Sequence, residues 1–226
     1  MNNNIAIIPA RGGSKRIPKK NIKKFNGKPM IYWPISVLKK SKLFKKIIVS
    51  TDDTQIAKIA SKYGAEVPFK RPKKLSNDFA VTSDVMSHAL NYLNKKGENY
   101  DYVCCVYATN PFLKVQHLKN SHKIFKKSDK AFLFSATEYN YPIQRSFYIK
   151  NNIIKMLDKK NFFKRTQDLE TLYHDAGQFY WSKPSSWKNN PIIFSKISIP
   201  YVIPYHEVID IDNIQDWKKA EKMIKT

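Results

Sequence analysis

The sequence contains only two cysteines among its 226 residues, and these two, Cys104 and Cys105, are adjacent. Neighbouring side chains on a strand point to opposite faces of a sheet, so this pair is poorly placed for a disulfide or a metal site. Such sparing use of cysteine is typical of proteins that work in a reducing compartment. We therefore expect a cytoplasmic protein.

Long hydrophobic runs are also missing. No stretch reaches the roughly 18 apolar residues that a membrane-spanning helix needs. The first residues, MNNNIAIIPARGG, have neither a basic region nor a long apolar core, so we do not expect a signal peptide. The composition, with 42% hydrophobic and 26% charged residues, is typical of a globular protein. The length fits a single domain, 1–226, that carries an insertion.

Acidic residues are scarce, with 18 Asp and Glu against 41 Lys and Arg, which gives a formal net charge of +23. Such an excess raises nucleic acid or an anionic membrane as a partner. Only five of the 41 cations are Arg, however, and the reading of bases favours Arg. The lysines are scattered over nearly every predicted helix. We interpret them as a solvated surface, with a basic nucleic-acid-binding protein as the alternative.

Short apolar runs alternate with amphipathic segments along most of the chain. Continuous apolar runs such as YDYVCCVYA (100–108) are typical of strands that are buried in a parallel sheet. The alternation predicts an α/β fold in three layers with a mostly parallel sheet. The predicted strands lie at 5–9, 46–51, 66–69, 100–108 and 130–139, and the predicted helices at 29–41, 54–65, 82–97, 115–128 and 210–225.

The alternation stops between about residues 140 and 195. The segment SFYIKNNIIKML (146–157) predicts a β-hairpin that turns at Asn151–Asn152. The segment QFYWSKPSSWKNNP (178–191) is rich in aromatic and turn-forming residues. We interpret about 140–190 as an inserted arm.

The segment IAIIPARGGSKRIPKKN (5–21) places two glycines and many cations directly after a predicted buried strand. Gly12 and Gly13 allow a close approach of the backbone, whose N–H groups can form an anion site. The segment is neither a Walker A loop nor a Rossmann G-x-G-x-x-G fingerprint. It predicts a polyphosphate site, with a solvated basic turn as the alternative. The polar and charged side chains available to it are Arg11, Ser14, Lys15, Arg16, Lys19 and Lys20.

The pattern IPARGGSK..P.KN resembles the signature of the cytidylyltransferases that make CMP-activated nonulosonic acids, the sialic-acid-like sugars. The resemblance covers almost the whole chain, because further segments follow in the family's order. These are NGKP (26–29), IIVSTDD (47–53), FKRPKKLSNDFAVTSD (69–84) and VIDIDNIQDWKKAE (208–221). Features closer to the pseudaminic acid branch are SKRIPKKN, CCVYATNPFL, YPIQRSF and YHDAGQFYW, whereas Asn110 departs from the small residue expected there.

The resemblance implies a nucleotidyltransferase (Rossmann-like) fold and assigns the nucleotide contacts. Lys20 is similar to the family's essential lysine, which stabilises charge at the α-phosphate and on departing pyrophosphate. Lys20 and Arg11 are therefore the expected catalytic residues. Arg71 is expected to read cytosine, with an ion pair to Asp78 as the alternative. The nucleotide-binding residues expected in all are Arg11, Gly13, Ser14, Lys20, Asn21, Arg71, Ala80 and Thr82.

Asp210 and Asp212 are two residues apart in the segment IDID. On a strand both carboxylates would face the same way, so both could reach one Mg²⁺. Asp212 could instead cap the last helix. Asp52 and Asp53 are weaker metal candidates, because an Asp at this position can simply cap the helix that starts at Thr54.

The sugar contacts are expected beyond the strand at 100–108 and in the arm. His174 and Asp175 are adjacent, and adjacent residues rarely form a His–Asp dyad, so we assign them to sugar recognition. Gln144 and Arg145 are assigned to the sugar's carboxylate or acylamino groups, with a role in the structure of the arm as the alternative. The sugar-binding residues expected in all are Thr109, Gln144, Arg145, His174, Asp175 and Gln178.

Together these features predict a Mg²⁺-dependent transfer of CMP from CTP to pseudaminic acid, with release of pyrophosphate. A sialic or legionaminic acid is the alternative sugar. The arm resembles the family's dimerisation element, so the resemblance implies a homodimer. It also implies a place in the synthesis of surface glycans, such as those on flagellin.

Overall fold

The computed structural model describes residues 3–188 and 191–224. A central sheet of six strands has the order β10-β6-β9-β5-β1-β4, and two small antiparallel pairs, β2–β3 and β7–β8, lie outside it. The strands are β1 (Asn4–Pro9), β2 (Lys24–Phe25), β3 (Lys28–Pro29), β4 (Lys46–Ser50), β5 (Tyr102–Val106), β6 (Phe132–Glu138), β7 (Phe147–Lys150), β8 (Ile153–Met156), β9 (Tyr173–Ser182) and β10 (Ser198–Val202). The helices are α1 (Tyr32–Ser41), α2 (Thr54–Lys62), α3 (Thr82–Lys95), α4 (Val115–Lys126) and α5 (Ile214–Met223).

The sheet is mostly parallel and is covered on both faces, which confirms the predicted α/β fold. Strand β1 is parallel to β4 and β5, and β10 is parallel to β6. Alternate residues of β1 enter two different cores. Ala6 and Ile8 pack with buried residues of α1, α2 and α4, whereas Ile5 and Ile7 pack with buried residues of α3. Cys104 and Cys105 divide in the same way, and both are buried free thiols.

Strand β9 corrects the predicted extent of the arm. It lies in the middle of the sheet, antiparallel to both β5 and β6. Its aromatic residues are buried on both faces of the sheet, Phe179 and Trp181 on one face and Tyr180 on the other. A strand that is buried on both faces shows no polar alternation, so the local pattern of this segment does not predict a strand. The inserted arm therefore ends before Tyr173, and the prediction that it extends to about residue 190 was wrong.

The segment at 66–69 was also predicted as a strand, and it makes only isolated bridges. Glu66 bridges Ile48, and Lys70 bridges Thr51. Pro68 lies between these bridges and has no N–H to donate to a ladder, which explains why no continuous strand forms.

The predicted hairpin is confirmed. Strands β7 and β8 pair with Ile149 opposite Ile154, and the turn residues Asn151 and Asn152 have φ angles of 48° and 59°. Two successive left-handed residues are the geometry of a type I′ turn, which asparagine tolerates well. The hairpin leaves the core and carries exposed apolar side chains into solvent.

The parallel strands bring several segments to one edge of the sheet. The loop that follows β1, residues 51–53 after β4 and residues 107–111 after β5 all meet there. Strand β9 runs in the opposite direction, so its first residues arrive at the same edge. Within residues 3–188 and 191–224, no helix combines the length and the apolar character needed to cross a membrane.

Candidate active site

Two adjoining cavities open at this edge of the sheet. The smaller has a volume of about 180 Å³ and is lined by residues of the loop after β1, including Arg11, Ser14 and Lys20. The larger has a volume of about 770 Å³ and is lined mainly by residues of β9, the β6–β7 connection and the segment before α5. Tyr107 and Thr109 line both cavities. A ligand in the smaller cavity can therefore contact a ligand in the larger one.

The loop after β1 is held in place by polar contacts to its backbone. Asn21 is buried, and its Nδ2 donates a hydrogen bond of 2.9 Å to the carbonyl of Arg11. The amide N–H of Gly12 donates to Oδ1 of Asp52 at 2.9 Å. A Cβ atom at Gly12 would lie 2.9 Å from Cβ of Asp53, so this position requires glycine, whereas a Cβ at Gly13 would meet nothing.

The cations of this loop contact carboxylates from two other segments. Arg11 and Lys15 both pair with Asp78, at 2.8 and 2.5 Å. Hydrogen bonds from Lys15 and Arg11 hold the pKa of Asp78 below its usual value. Arg16 places its two Nη atoms 2.9 Å from the two carboxylate oxygens of Asp212. The predicted cluster of positive charge is thus present at the smaller cavity, and each of these three cations has an acidic partner.

Lys20 is the most buried of the cations at the smaller cavity, with a side chain that is 18% exposed. Its Nζ donates a hydrogen bond of 2.7 Å to the carbonyl of Ile211 and lies 3.7 Å from Oδ1 of Asp212. Burial lowers the pKa of Lys20, and the charges of Asp212 and Asp210 oppose that shift. These contacts place the ammonium group of Lys20 between the smaller cavity and the segment 210–212. A phosphate bound in that cavity could contact it there.

Arg71, which was predicted to read the base, is nearly buried, with a side chain that is 4% exposed. Its Nη2 lies 3.8 Å from Oδ1 of Asp52, and its Nε and Nη2 have no hydrogen-bond partner among the described residues. Burial lowers the pKa of Arg71, and the charge of Asp52 opposes this shift. The alternative ion pair with Asp78 is wrong, because Asp78 pairs with Arg11 and Lys15.

The other two residues expected at the base are held by neighbouring side chains. The amide N–H of Ala80 donates to Oδ1 of Asn77 at 2.9 Å. Oγ1 of Thr82 lies 3.2 Å from the hydroxyl of Tyr107, so the start of α3 is tied to the wall that the two cavities share.

The segment that carries Asp210 and Asp212 is neither a strand nor part of the last helix, which was predicted from residue 210 and begins at Ile214. Ile211 between them is fully buried, so the alternation expected of an extended chain is kept. Asp210 lines the larger cavity and Asp212 the smaller one. Burial raises the pKa of Asp210, and the charge of Asp212 raises it further.

Asp212 does not cap α5, so that alternative is wrong. The capping residue is Asn213, whose Oδ1 accepts hydrogen bonds from the N–H groups of Gln215 and Asp216. Asp216 in turn accepts from the N–H groups of Asp212 and Asn213. The side chain of Asp212 is therefore left for other contacts.

The described residues contain no group of three or more His, Cys, Asp or Glu side chains that could hold a metal ion. Asp210 and Asp212 supply two carboxylates at the junction of the cavities, and Mg²⁺ is commonly held by one or two carboxylates together with phosphate oxygens and water. These two residues therefore fit a magnesium ion that arrives with a polyphosphate. Asp53 caps α2, at 2.7 and 2.9 Å from two N–H groups, and Asp52 accepts from Gly12, so both have structural partners.

His174, Asp175 and Gln178 all line the larger cavity. The carboxylate of Asp175 accepts hydrogen bonds from the N–H of Gly177 and the hydroxyl of Tyr180, and Nδ1 of His174 contacts only the carbonyl of Asp175, at 2.9 Å. The two therefore form no acid–base dyad through their side chains.

Gln178 is buried, and its Nε2 donates to the carbonyl of Glu207 at 2.9 Å. Asn110, the departure from the family pattern, is also buried and donates to the carbonyl of Gln178 at 3.2 Å. The unusual Asn110 thus supports the wall of the larger cavity.

Gln144 and Arg145 are not brought into the larger cavity of this chain. Nε2 of Gln144 donates to the carbonyl of Glu170 at 2.7 Å, and the side chain of Arg145 is exposed. Their neighbours Ile143 and Ser146 do line the cavity. The structure therefore supports a structural role in the arm for Gln144.

Several residues of the larger cavity were missed from the sequence. Tyr107 could have been found, because it directly follows β5 at the edge where ligands bind in open α/β sheets. The others lie on connections whose positions depend on tertiary packing. They include Tyr139, Tyr141, Tyr205, Ile209 and Lys219.

Comparison with known proteins agrees with this arrangement. A family model described as cytidylyltransferase matches residues 5–208. The chain is 45% identical over 223 residues to a pseudaminic acid cytidylyltransferase of Campylobacter jejuni, covering 98% of this chain and 96% of that protein. It is 32% identical to a CMP-N,N'-diacetyllegionaminic acid synthase of Legionella pneumophila, with 98% and 96% covered.

The fold matches solved structures as well. A structure of CMP:2-keto-3-deoxy-manno-octonic acid synthetase complexed with CTP superposes with a TM-score of 0.73 over 98% of both chains, at 13% sequence identity. That likeness shows a shared nucleotidyltransferase-type fold. With the family match over most of the chain and a relative at 45% identity, this protein belongs to the cytidylyltransferase family.

Proposed function

We propose that this protein transfers CMP from CTP to pseudaminic acid, with CMP-pseudaminic acid and pyrophosphate as products. The observation that carries the proposal is the pair of adjoining cavities, one lined by cations and the other by polar and aromatic groups, which share Tyr107 and Thr109. The 45% identity to a pseudaminic acid cytidylyltransferase supports the choice of sugar.

In this proposal CTP and the sugar meet at the shared wall. The triphosphate lies in the smaller cavity against Arg11, Ser14 and Lys20, and the guanidinium of Arg71 is assigned to the cytosine carbonyl. The sugar occupies the larger cavity. Its anomeric hydroxyl attacks the α-phosphorus, the bond from that phosphorus to the β-phosphate bridging oxygen breaks, pyrophosphate leaves with the electron pair, and the hydroxyl proton passes to water. The sugar's C2–O bond stays intact, so the anomeric configuration is retained.

Lys20 has the chief catalytic role in this scheme. Its ammonium is largely shielded from water, and electrostatic stabilisation is strongest where water is excluded. There it would stabilise the charge that develops on the α-phosphate and on departing pyrophosphate. Arg11 would assist after exchanging its contact with Asp78 for phosphate.

Asp210 and Asp212 would hold Mg²⁺, with Arg16 releasing Asp212 as the ion binds. When bound, such an ion orients phosphate oxygens and lowers the pKa of an attacking hydroxyl. The proposal assigns no general base to the protein.

We also propose a homodimer formed through the hairpin β7–β8. The hairpin places a row of large apolar side chains in water, and exposed apolar patches on otherwise well-folded proteins commonly mark interfaces. Ile149 and Ile154, which face each other across the hairpin, are 68% and 63% exposed. A second copy of the same hairpin is the natural partner of such a surface.

Legionaminic or sialic acid is the alternative sugar, and duplex DNA is the alternative ligand. The position of the arginines disfavours DNA, because Arg11 and Arg16 line the smaller cavity and Arg71 is nearly buried. Release of pyrophosphate from CTP and Mg²⁺ should be measured with pseudaminic, legionaminic and sialic acids, and without sugar. We expect release with pseudaminic acid. Preference for another sugar would overturn the choice of substrate. The enzyme assignment would be overturned if no sugar gave release of pyrophosphate and the protein bound duplex DNA in a salt-dependent way.

A further inference from the structure

We infer that Asp52 is a positioning residue that joins the phosphate-binding loop to the base-reading Arg71. This inference rests on the proposed binding of CTP. One carboxylate oxygen, Oδ1, makes both contacts: it accepts from the N–H of Gly12 at 2.9 Å and lies 3.8 Å from Nη2 of Arg71. The side chain of Asp52 is 28% exposed, so most of its surface is used inside the protein.

The contact with Gly12 positions the loop after β1. Gly12 lies so close to the end of β4 that no side chain fits there. The hydrogen bond to Asp52 fixes the direction of the Gly12 amide and therefore the path of Gly13 and Ser14, which follow it. A shift of about 1 Å in such a loop can reduce a reaction rate by about a hundredfold.

The contact with Arg71 has a different effect. At 3.8 Å the carboxylate balances the charge of a nearly buried guanidinium without forming a hydrogen bond to it. Nε and Nη2 of Arg71 are themselves buried and have no hydrogen-bond partner among the described residues, so the charge of Asp52 is the compensation that the structure shows for this guanidinium. Among the described residues, Asp52 is the only carboxylate within 4 Å of Arg71. A buried charge that loses its partner is strongly destabilised, so removal of the Asp52 charge should displace or weaken the base reader.

The backbone supports the same link. The N–H of Arg71 donates to the carbonyl of Thr51 at 2.8 Å, and the N–H of Ala10 donates to the carbonyl of Ser50 at 2.9 Å. The loop before Gly12 and the segment that carries Arg71 are thus both hydrogen-bonded to the end of β4. Asp52 adds a side-chain link at Gly12 and Arg71 themselves, beside the pairs that Arg11 and Lys15 form with Asp78 further along the same segment.

Asp53 provides a matched control. It is adjacent, it is also an aspartate, and its carboxylate caps α2 by accepting from the N–H groups of Gln55 and Ile56. Asparagine caps a helix about as well as aspartate. Asp53→Asn should therefore be nearly silent, whereas Asp52→Asn keeps an oxygen for Gly12 but removes the charge that balances Arg71.

The test is calorimetric binding of CTP, UTP and inorganic triphosphate, with Mg²⁺ and without sugar, to the wild type and to Asp52→Asn, Asp52→Ala and Asp53→Asn. We expect Asp52→Asn to weaken CTP binding by about tenfold or more, since one partner of a buried charge pair is lost, and to narrow the preference for CTP over UTP. Its binding of triphosphate should stay within about twofold of the wild type. Asp52→Ala should weaken the binding of both CTP and triphosphate, because the contact with Gly12 is lost as well.

A double-mutant cycle with Arg71→Ala completes the test. If Asp52 acts on the base through Arg71, adding Asp52→Asn to Arg71→Ala should weaken CTP binding little further. Additive effects, or CTP binding by Asp52→Asn equal to that of Asp53→Asn, would overturn the inference. So would an Asp52→Asn chain that is unfolded in thermal melts while Asp53→Asn is folded, because the role would then be stability. Failure of the wild type to bind CTP would instead overturn the proposed function.

Discussion

Lys20 and Ile211 are joined by a hydrogen bond of 2.7 Å from the lysine ammonium to the isoleucine backbone carbonyl. The two residues are 191 positions apart in the sequence. The bond ties the loop after β1 to the segment that carries Asp210 and Asp212. The residues expected to bind phosphate and those expected to bind metal therefore form one site, and each can be tested against the other.

Lys20→Met should abolish turnover and leave the fold intact. Methionine keeps the apolar stem of a largely buried side chain but removes the charge that would stabilise the transition state. The variant loses the hydrogen bond to Ile211, but burial lowers the pKa of Lys20 and so disfavours the charged form in the folded protein, and the melting temperature should therefore change little. Pyrophosphate release and a thermal melt check both parts. Lys19→Met, at the neighbouring exposed lysine, should keep near-normal activity, and normal turnover by Lys20→Met would contradict the assignment.

Asp210→Asn and Asp212→Asn should each raise the Mg²⁺ concentration for half-maximal rate by about tenfold or more and lower the maximal rate, since a neutral ligand holds a hard cation less well. Both variants keep the shape of the side chain. A Mg²⁺ titration at saturating CTP measures the effect, and Asp129→Asn at an exposed position serves as the control. If both active-site variants titrate like the wild type, the two aspartates do not bind the metal.

Ile149→Glu should convert the proposed dimer into a monomer, because it places a charge within the exposed apolar face of the hairpin. Light scattering coupled to size-exclusion chromatography measures the mass directly. Ile192→Glu is the matched control, since Ile192 is 75% exposed and lies outside the hairpin. A wild-type chain that is monomeric at micromolar concentration, or an Ile149→Glu variant that stays dimeric, would disprove the proposed interface.

Glu207 should contribute stability that is lost in acid. Burial alone would raise the pKa of Glu207, but hydrogen bonds from His117, at 2.8 Å, and Lys114, at 2.9 Å, hold it below the usual value. A depressed pKa means that the contribution is complete above the unfolded value of about 4.3 and disappears as the pH falls through the folded value. Urea unfolding at pH 7 and in this acidic range should show a smaller loss of stability for Glu207→Gln than for the wild type. Glu170→Gln, at an exposed position, should lose as much stability in acid as the wild type. If the free energy of unfolding changes with pH by the same amount in all three proteins, Glu207 does not have this role.

Much of the fold followed from local patterns. The alternation of apolar runs and amphipathic helices predicted the layers, and the Asn151–Asn152 pair predicted the hairpin turn, because asparagine tolerates the left-handed conformation. The predictions of a strand at 66–69 and of an arm that extends to about residue 190 were wrong for reasons that local patterns do not reveal. Pro68 prevents a ladder, and β9 has its aromatic residues buried on both faces.

The candidate site also has features that the sequence predicts and features that only the tertiary structure shows. By itself the sequence determined which chemical groups follow which strand: the cations and glycines after β1, the aspartates after β4, and the pair Asp210 and Asp212 before the last helix. Only the tertiary structure decided the partners of these groups. It paired Asp78 with Arg11, placed Asp52 between Gly12 and Arg71, gave the cap of α5 to Asn213, and inserted β9 between β5 and β6. Local propensity acts over a few residues, whereas these contacts join segments that are distant in the chain and meet only because parallel strands end at a common edge.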